Sequence, residues 1–161
     1  MKTNDHNVDH ALQVAIEIEK MGKTFYESLA SGCGDSRIAA LAAELAKAET
    51  SHIGFFKRML SELSSPIRGP QLTPRELYEA AKELHVEIMP DPLVVRNTVL
   101  TSDIKKALEM AIDMESASVS YYTQLSLNTT PEDAEIMTRI IEEENDHLET
   151  LLQRLVDMET H

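Results

Sequence analysis

Cysteine is nearly absent from this 161-residue chain. Cys33 stands alone, which excludes an internal disulfide and any cysteine-built zinc or iron–sulfur module within the chain. Tryptophan is missing and glycine occurs only five times. What remains are long stretches rich in Ala, Leu, Ile, Glu and Met whose apolar residues recur every 3.6 positions, the pattern of an all-α protein. Positive charge is also scarce: 15 Lys and Arg face 28 Asp and Glu, leaving a net charge of −13. That balance argues against a nucleic-acid partner, favours solubility and concentrates cations near the surface. No stretch is apolar enough to span a bilayer, and the polar amino terminus lacks the basic and apolar parts of a signal peptide. No membrane partner and a cytoplasmic location are therefore expected. The length fits a single domain, 1–161, with a sizeable core.

Against these absences stand two Glu-x-x-His quartets, Glu49-Thr50-Ser51-His52 and Glu144-Asn145-Asp146-His147. With 19 Glu and six His in the chain, roughly 0.7 such matches are expected by chance, so two carry little weight by number alone. Their surroundings carry more. Ala11-Leu12, Ile16, Glu19, Tyr26 and Leu29 are matched 96 positions later by Ala107-Leu108, Ile112, Glu115, Tyr122 and Leu125; Glu49, His52, Ile53 and Leu60 are matched 95 later by Glu144, His147, Leu148 and Leu155. The chain thus repeats a helical hairpin, consistent with duplication. Glu19 precedes Glu49 by 30 residues and Glu115 precedes Glu144 by 29, enough to climb one helix, turn and return level. Four carboxylates can then meet at one height, joined by two imidazoles, since residues three apart share a helix face. The alternative is that these are surface ion-pair residues on amphipathic helices.

The first helix is predicted from about Asn7 or Asp9 to Ala30, with Leu12, Ala15, Ile16 and Phe25 inward and Ser31-Gly32-Cys33-Gly34 ending it. Cys33 is read as a turn residue, with a catalytic thiol as the lesser alternative. The second runs from Asp35 or Ser36, good N-caps, to about Leu63, where Ser64-Ser65-Pro66 and Gly69-Pro70 break the pattern. Thr73-Pro74-Arg75-Glu76 combines an N-cap, a first-turn proline and a capping-box Glu, predicting a shorter helix over 74–88 that Met89-Pro90-Asp91-Pro92 stops. The span from Ser64 to Ser102 carries the chain over to a third helix, Ser102 to Leu127. Thr130-Pro131-Glu132-Asp133 caps a fourth that continues almost to the end. The two hairpins so defined cover about 7–63 and 102–160.

As metal ligands, Glu49 and Glu144 have the geometry to bridge two ions, because each shares its helix with a His; Glu19 and Glu115 would be terminal, although spacing alone does not fix which carboxylates bridge. His52 and His147 would each give one ring nitrogen to metal and donate the other to an acceptor beyond it. Glu143 and Asp146, each one residue from a ligand, are expected to face elsewhere. Mixed carboxylate and imidazole donors suit iron or manganese and also accept zinc. Tyr26 and Tyr122, two turns after Glu19 and Glu115, either hydrogen-bond a ligand carboxylate across the bundle or are core tyrosines satisfied by any acceptor. Gly22 and Ser118, one turn after the same ligands, either leave space for dioxygen, peroxide or water or reflect close helix packing. His6 and His10 are read as solvent-exposed at a frayed end, His85 and His161 as outside any ligand set, and Glu79, Glu83 and Glu87 as a surface face. Met21, Met59, Met110, Met114 and Met137 are read as core filler.

The segment Ala15-Ile16-Glu17-Ile18-Glu19-Lys20 leading to Phe25-Tyr26, with Ala48-Glu49-Thr50-Ser51-His52, resembles the first hairpin of the rubrerythrin family. Met114-Glu115 to Tyr121-Tyr122, with Glu143-Glu144-Asn145-Asp146-His147, is similar to its second. The resemblance spans nearly the whole chain and implies a ferritin-like four-helix bundle with a long crossover carrying a short extra helix. It also implies a non-haem di-iron centre, two irons per site, that reduces peroxide or dioxygen or oxidises ferrous iron, in homodimers or larger assemblies. Two departures stand out. The four-cysteine rubredoxin-like domain of full-length rubrerythrins has no counterpart here, so an external electron donor is expected. Where the family's peroxidases add a Glu one turn after the third-helix ligand, this chain has Ser118. The alternatives to an oxidoreductase are an iron-binding protein for storage or transfer, and a bundle whose metal is structural.

Overall fold

The apolar periodicity becomes four long helices in the computed structural model, which describes residues 5–62, 73–76, 79, 103–127 and 129–160. They are α1 (Asp5–Gly32), α2 (Ser36–Glu62), α3 (Ile104–Ser126) and α4 (Pro131–Glu159). No strand occurs among the described residues. On α2 the buried positions are Ile38, Ala42, Leu45, Ala46, Glu49, His52, Phe56 and Met59, a stripe stepping by three and four as one helix face must. On α3 it is Ala107, Leu108, Ala111, Met114, Glu115, Ser118, Tyr122 and Leu125. The Glu and His of interest therefore occupy core positions rather than the solvated face.

Each start has a local cause. Asp35 Oδ1 accepts from Arg37 N (2.9 Å) and Ile38 N (3.3 Å) ahead of α2. Asp103 Oδ1 accepts from Lys106 N at 3.1 Å before α3, and Thr130 Oγ1 from Asp133 N at 3.2 Å before α4, which opens on Pro131. These bonds satisfy amides that have no partner within the helix. The capping box at Thr73 also forms: Thr73 N donates to Glu76 Oε2 (2.7 Å) and Glu76 N to Thr73 Oγ1 (3.2 Å), and donation from Thr73 lowers the Glu76 pKa. Residues 74–76 are helical. Glu79 is helical and exposed; the rest of the expected 74–88 helix, most of the crossover, His85, Glu83, Glu87 and His161 lie outside the described residues. α1 starts earlier than expected, at Asp5, and runs on through Gly32. Cys33 N still donates to Leu29 O (3.0 Å), so the helical bonding outlasts the first glycine. His10 is half-buried rather than exposed.

α1 packs on α2 and α3 on α4, and the hairpins meet more sparingly through α1 against α3 and α2 against α4. Two apolar clusters fill the ends. One gathers Phe25, Leu29, Ile38, Leu45, Leu108 and Leu151; the other gathers Leu12, Ile18, Phe56, Tyr122, Met137 and Ile140. Met59, Met114 and Met137 are buried in this packing, and Met21 and Met110 lie against it. No helix among the described residues is long and apolar enough to cross a membrane. Between the clusters lies a polar layer at mid-bundle.

Because the α4 cap satisfies amides at the start of the helix that carries Glu144 and His147, Thr130→Ala is expected to cost about 1 kcal/mol. In a domain of this size that lowers Tm by roughly 2–4 °C, as thermal melting followed by circular dichroism would measure.

Candidate metal centre

Each helix delivers one carboxylate to the mid-bundle layer: Glu19 from α1, Glu49 from α2, Glu115 from α3 and Glu144 from α4, all at most 5% exposed. α2 and α4 each add the His one turn on, His52 and His147. The structure thus brings together all six side chains singled out by spacing. They form two overlapping groups, Glu19, Glu49, His52 and Glu144, and Glu49, Glu115, Glu144 and His147, each offering donor atoms within 4.8 Å of one another. Donors held about 2 Å from one ion lie at most about 4 Å apart, so a small inward movement of these side chains would suffice. Glu49 and Glu144 belong to both groups, the geometry of bridging ligands.

Burying these groups creates a charge problem. Isolated carboxylates away from water are costly and either neutralise or find a cation. Burial pushes the Glu49 carboxyl well above the ordinary carboxylate range, and Glu19, Glu144 and Glu115 add to the rise. Burial also raises Glu115, and its contact with Glu144 adds more than the Tyr26 hydrogen bond takes away. Burial would raise Glu144 too, but Glu115, His147 and His52 outweigh it and hold that carboxyl below the usual range. Burial would lower His52; the Glu144 and Glu19 carboxylates prevail and push it up to about 11. Without metal, burial and the neighbouring carboxylates thus shift Glu49, Glu115 and His52 toward their protonated forms and Glu144 toward its ionised form.

Protons alone leave this layer poorly satisfied. Glu19 Oε2, both Glu144 oxygens, His52 Nδ1 and His147 Nδ1 are buried with no hydrogen-bond partner among the described residues. His52 Nδ1 sits 2.9 Å from Glu144 Oε1 and 3.5 Å from Glu19 Oε2, close in charge but not aligned as a hydrogen bond. His147 Nδ1 lies 3.6 Å from Glu144 Oε2 and 3.8 Å from Glu115 Oε1. Orphaned buried donors and acceptors are rare and call for an explanation. Here all five belong to one cluster, and their oxygen and nitrogen atoms converge as cation ligands do. The residues fit a pair of divalent cations, whose four positive charges would balance the four carboxylates.

The surrounding groups complete the arrangement. Tyr26 Oη donates to Glu115 Oε1 at 2.6 Å, and Tyr122 Oη donates to Glu19 Oε1. Each repeat thus holds the other repeat's outer carboxylate. Burial, then the nearby carboxylates, raises both phenols well above their ordinary range, so they remain donors. Tyr121, whose repeat counterpart is Phe25, sends its hydroxyl to Ala11 O at 2.9 Å. Gly22 leaves no free room: a Cβ there would lie 2.8 Å from Glu49 Oε2 and 3.2 Å from its Cδ. The Glu49 carboxylate, not an oxidant, takes that space. Ser118 Oγ turns back onto Met114 O at 3.1 Å and contributes no donor to the centre.

One residue departs from expectation. Glu143, expected to face elsewhere, accepts from His52 Nε2 at 2.8 Å through a carboxylate whose side chain is 57% exposed. A flexible side chain at the flank of α4 reaches across the α2/α4 seam, which the angular position of its Cα alone did not reveal. The adjacency to Glu144 was the available signal. Asp146 is exposed, as expected.

A family model described as Rubrerythrin matches residues 10–94 and 106–161. No curated protein matches the chain. Among solved structures it is similar to a Thermotoga maritima protein assigned as ferritin-like and diiron-carboxylate, with 26% identity, a TM-score of 0.71, and coverage of 94% of this chain and 95% of that one.

Two outcomes follow from the geometry. Gly22→Ala should leave the metal-free protein as stable or more so, by up to about 1 kcal/mol of helix propensity, because an unligated Glu49 can shift aside. The same variant should weaken divalent-metal affinity at least tenfold, read by calorimetric titration beside a thermal melt. Metal binding should displace protons whose retention burial and the neighbouring carboxylates favour at Glu49, Glu115 and His52, so apparent affinity should rise with pH. Calorimetry in two buffers of different ionisation heat measures that release.

Proposed function

Since the chain belongs to the rubrerythrin family, we propose that its mid-bundle layer holds two iron ions and that the protein is a di-iron oxidoreductase that reduces peroxide or dioxygen, oxidising ferrous iron as it does so. The observation that carries the proposal is the doubled donor set, Glu19 with His52 and Glu115 with His147, around two shared carboxylates. Glu19 and His52 would hold one ion, Glu115 and His147 the other, with Glu49 and Glu144 common to both. Bound iron, cycling between ferrous and ferric states, would supply two electrons per pair. Six protein side chains shared by two ions leave coordination positions for an oxidant, as reactive metals require.

The chain's own residues do the rest. Tyr26 and Tyr122 donate to Glu115 Oε1 and Glu19 Oε1 and would fix these two terminal carboxylates in orientation. The apolar layers above and below the centre limit water and confine charge changes to the carboxylates between them. These 161 residues hold one cysteine, too few for a four-cysteine electron-transfer iron among them, and an electron donor outside the bundle would return the centre to its ferrous state. Assembly as a homodimer or larger homo-oligomer belongs to the same proposal.

An anaerobic Fe(II) titration of metal-free protein tests the proposal. Saturation near two irons per chain is expected, with both lost in Glu49→Ala and in Glu144→Ala because each serves both positions. Peroxide or dioxygen should then oxidise the loaded iron stoichiometrically. No tight binding would sink the proposal, and uptake well beyond two per chain would point instead to iron storage.

A further inference from the structure

The two halves of the centre are not alike. Displacing the chain by 95 positions carries His147 onto His52 and Glu144 onto Glu49, but it carries Glu143 onto Ala48. The tyrosine contacts are repeated on both sides, and both inner Nδ1 atoms are buried and unpartnered. The outer nitrogens differ. His52 Nε2 is fixed by Glu143 at 2.8 Å and its side chain is 4% exposed. His147 has a side chain 18% exposed, and no described carboxylate is paired with its Nε2.

We infer that Glu143 makes the two metal positions unequal: the one held by Glu19 and His52 fills first and tightly, and the one held by Glu115 and His147 is the weaker, exchangeable position. This rests on the two-ion reading above. A histidine that donates its outer N–H to a carboxylate is locked in the tautomer whose inner nitrogen carries the lone pair, is held in orientation, and becomes a stronger donor; loss of such a partner costs about 10–100-fold in metal affinity. Glu143 meets those conditions for His52, and Ala48 cannot meet them for His147. Because the Glu143 carboxylate is more than half exposed, its charge stays solvated and adds little of the desolvation cost that burdens the four inner carboxylates. Glu143 is in this sense a positioning residue, acting on metal through His52.

The test is an anaerobic Co(II) titration of the metal-free full chain, followed by visible absorbance and counted by equilibrium dialysis, with circular dichroism melts to establish folding of each variant. Two resolved steps are expected in the parent protein. Substitutions at the two terminal carboxylates assign the steps to positions: Glu115→Ala should retain the tight step, and Glu19→Ala should remove it. Glu143→Ala should weaken the tight step about 10–100-fold while leaving the second within about twofold, and Glu143→Gln, which keeps an acceptor without the charge, should fall between. A tight step unchanged in Glu143→Ala, or one that disappears with Glu115→Ala and survives Glu19→Ala, overturns the inference while leaving the two-metal reading intact. No Co(II) binding by the parent protein would instead bring down the two-metal reading, and this inference with it.

Discussion

Four carboxylates enclosed in one water-poor layer set the terms for this bundle. Each occupies a position that an apolar residue would fill in an ordinary helical core, and the helices bring them level from four directions. Their mutual repulsion and lost hydration must be met by protons, by hydrogen bonds or by cations. The shift of Glu49, Glu115 and His52 toward their protonated forms and the two tyrosine hydroxyls meet part of that demand. Five atoms remain without partners among the described residues, and the proposed cations would answer them.

Several local choices serve that one end. The phenols of Tyr26 and Tyr122 are kept protonated by burial, as donors to a carboxylate must be. Gly22 is small because the Glu49 carboxylate lies against the α1 backbone; the close approach of α1 and α2 and the position of a shared ligand are the same fact. The apolar clusters at the two ends supply most of the folding drive, while the middle layer gives up some of that stability to a site.

Much of this was legible in the sequence, for reasons that can be stated residue by residue. Glu49 with His52 and Glu144 with His147 were visible because a helix puts residues three apart on one face, and Glu19 and Glu115 because the repeat paired them at the same height. The caps at Asp35, Thr73 and Thr130 were legible because capping is decided within four residues. Tyr26 and Tyr122 were seen as candidates, but which acceptor each reaches depends on how the hairpins cross. Glu143 was misjudged for a related reason: helix periodicity gives the direction of a Cα–Cβ bond, not the reach of a long side chain across a neighbouring seam. The early start of α1 at Asp5 and the half-buried His10 likewise reflect packing that no local signal near the amino terminus announces.

The crossed tyrosine contacts bear on how such a chain can change over time. A duplicated hairpin would ordinarily free one copy to drift while the other kept the original task. Here Tyr26 in the first copy holds Glu115 in the second, and Tyr122 in the second holds Glu19 in the first, so a loss in either copy is felt at the far side. The two halves inherit each other's constraints, and at positions such as 48 and 143 one copy can gain a group without depriving the other.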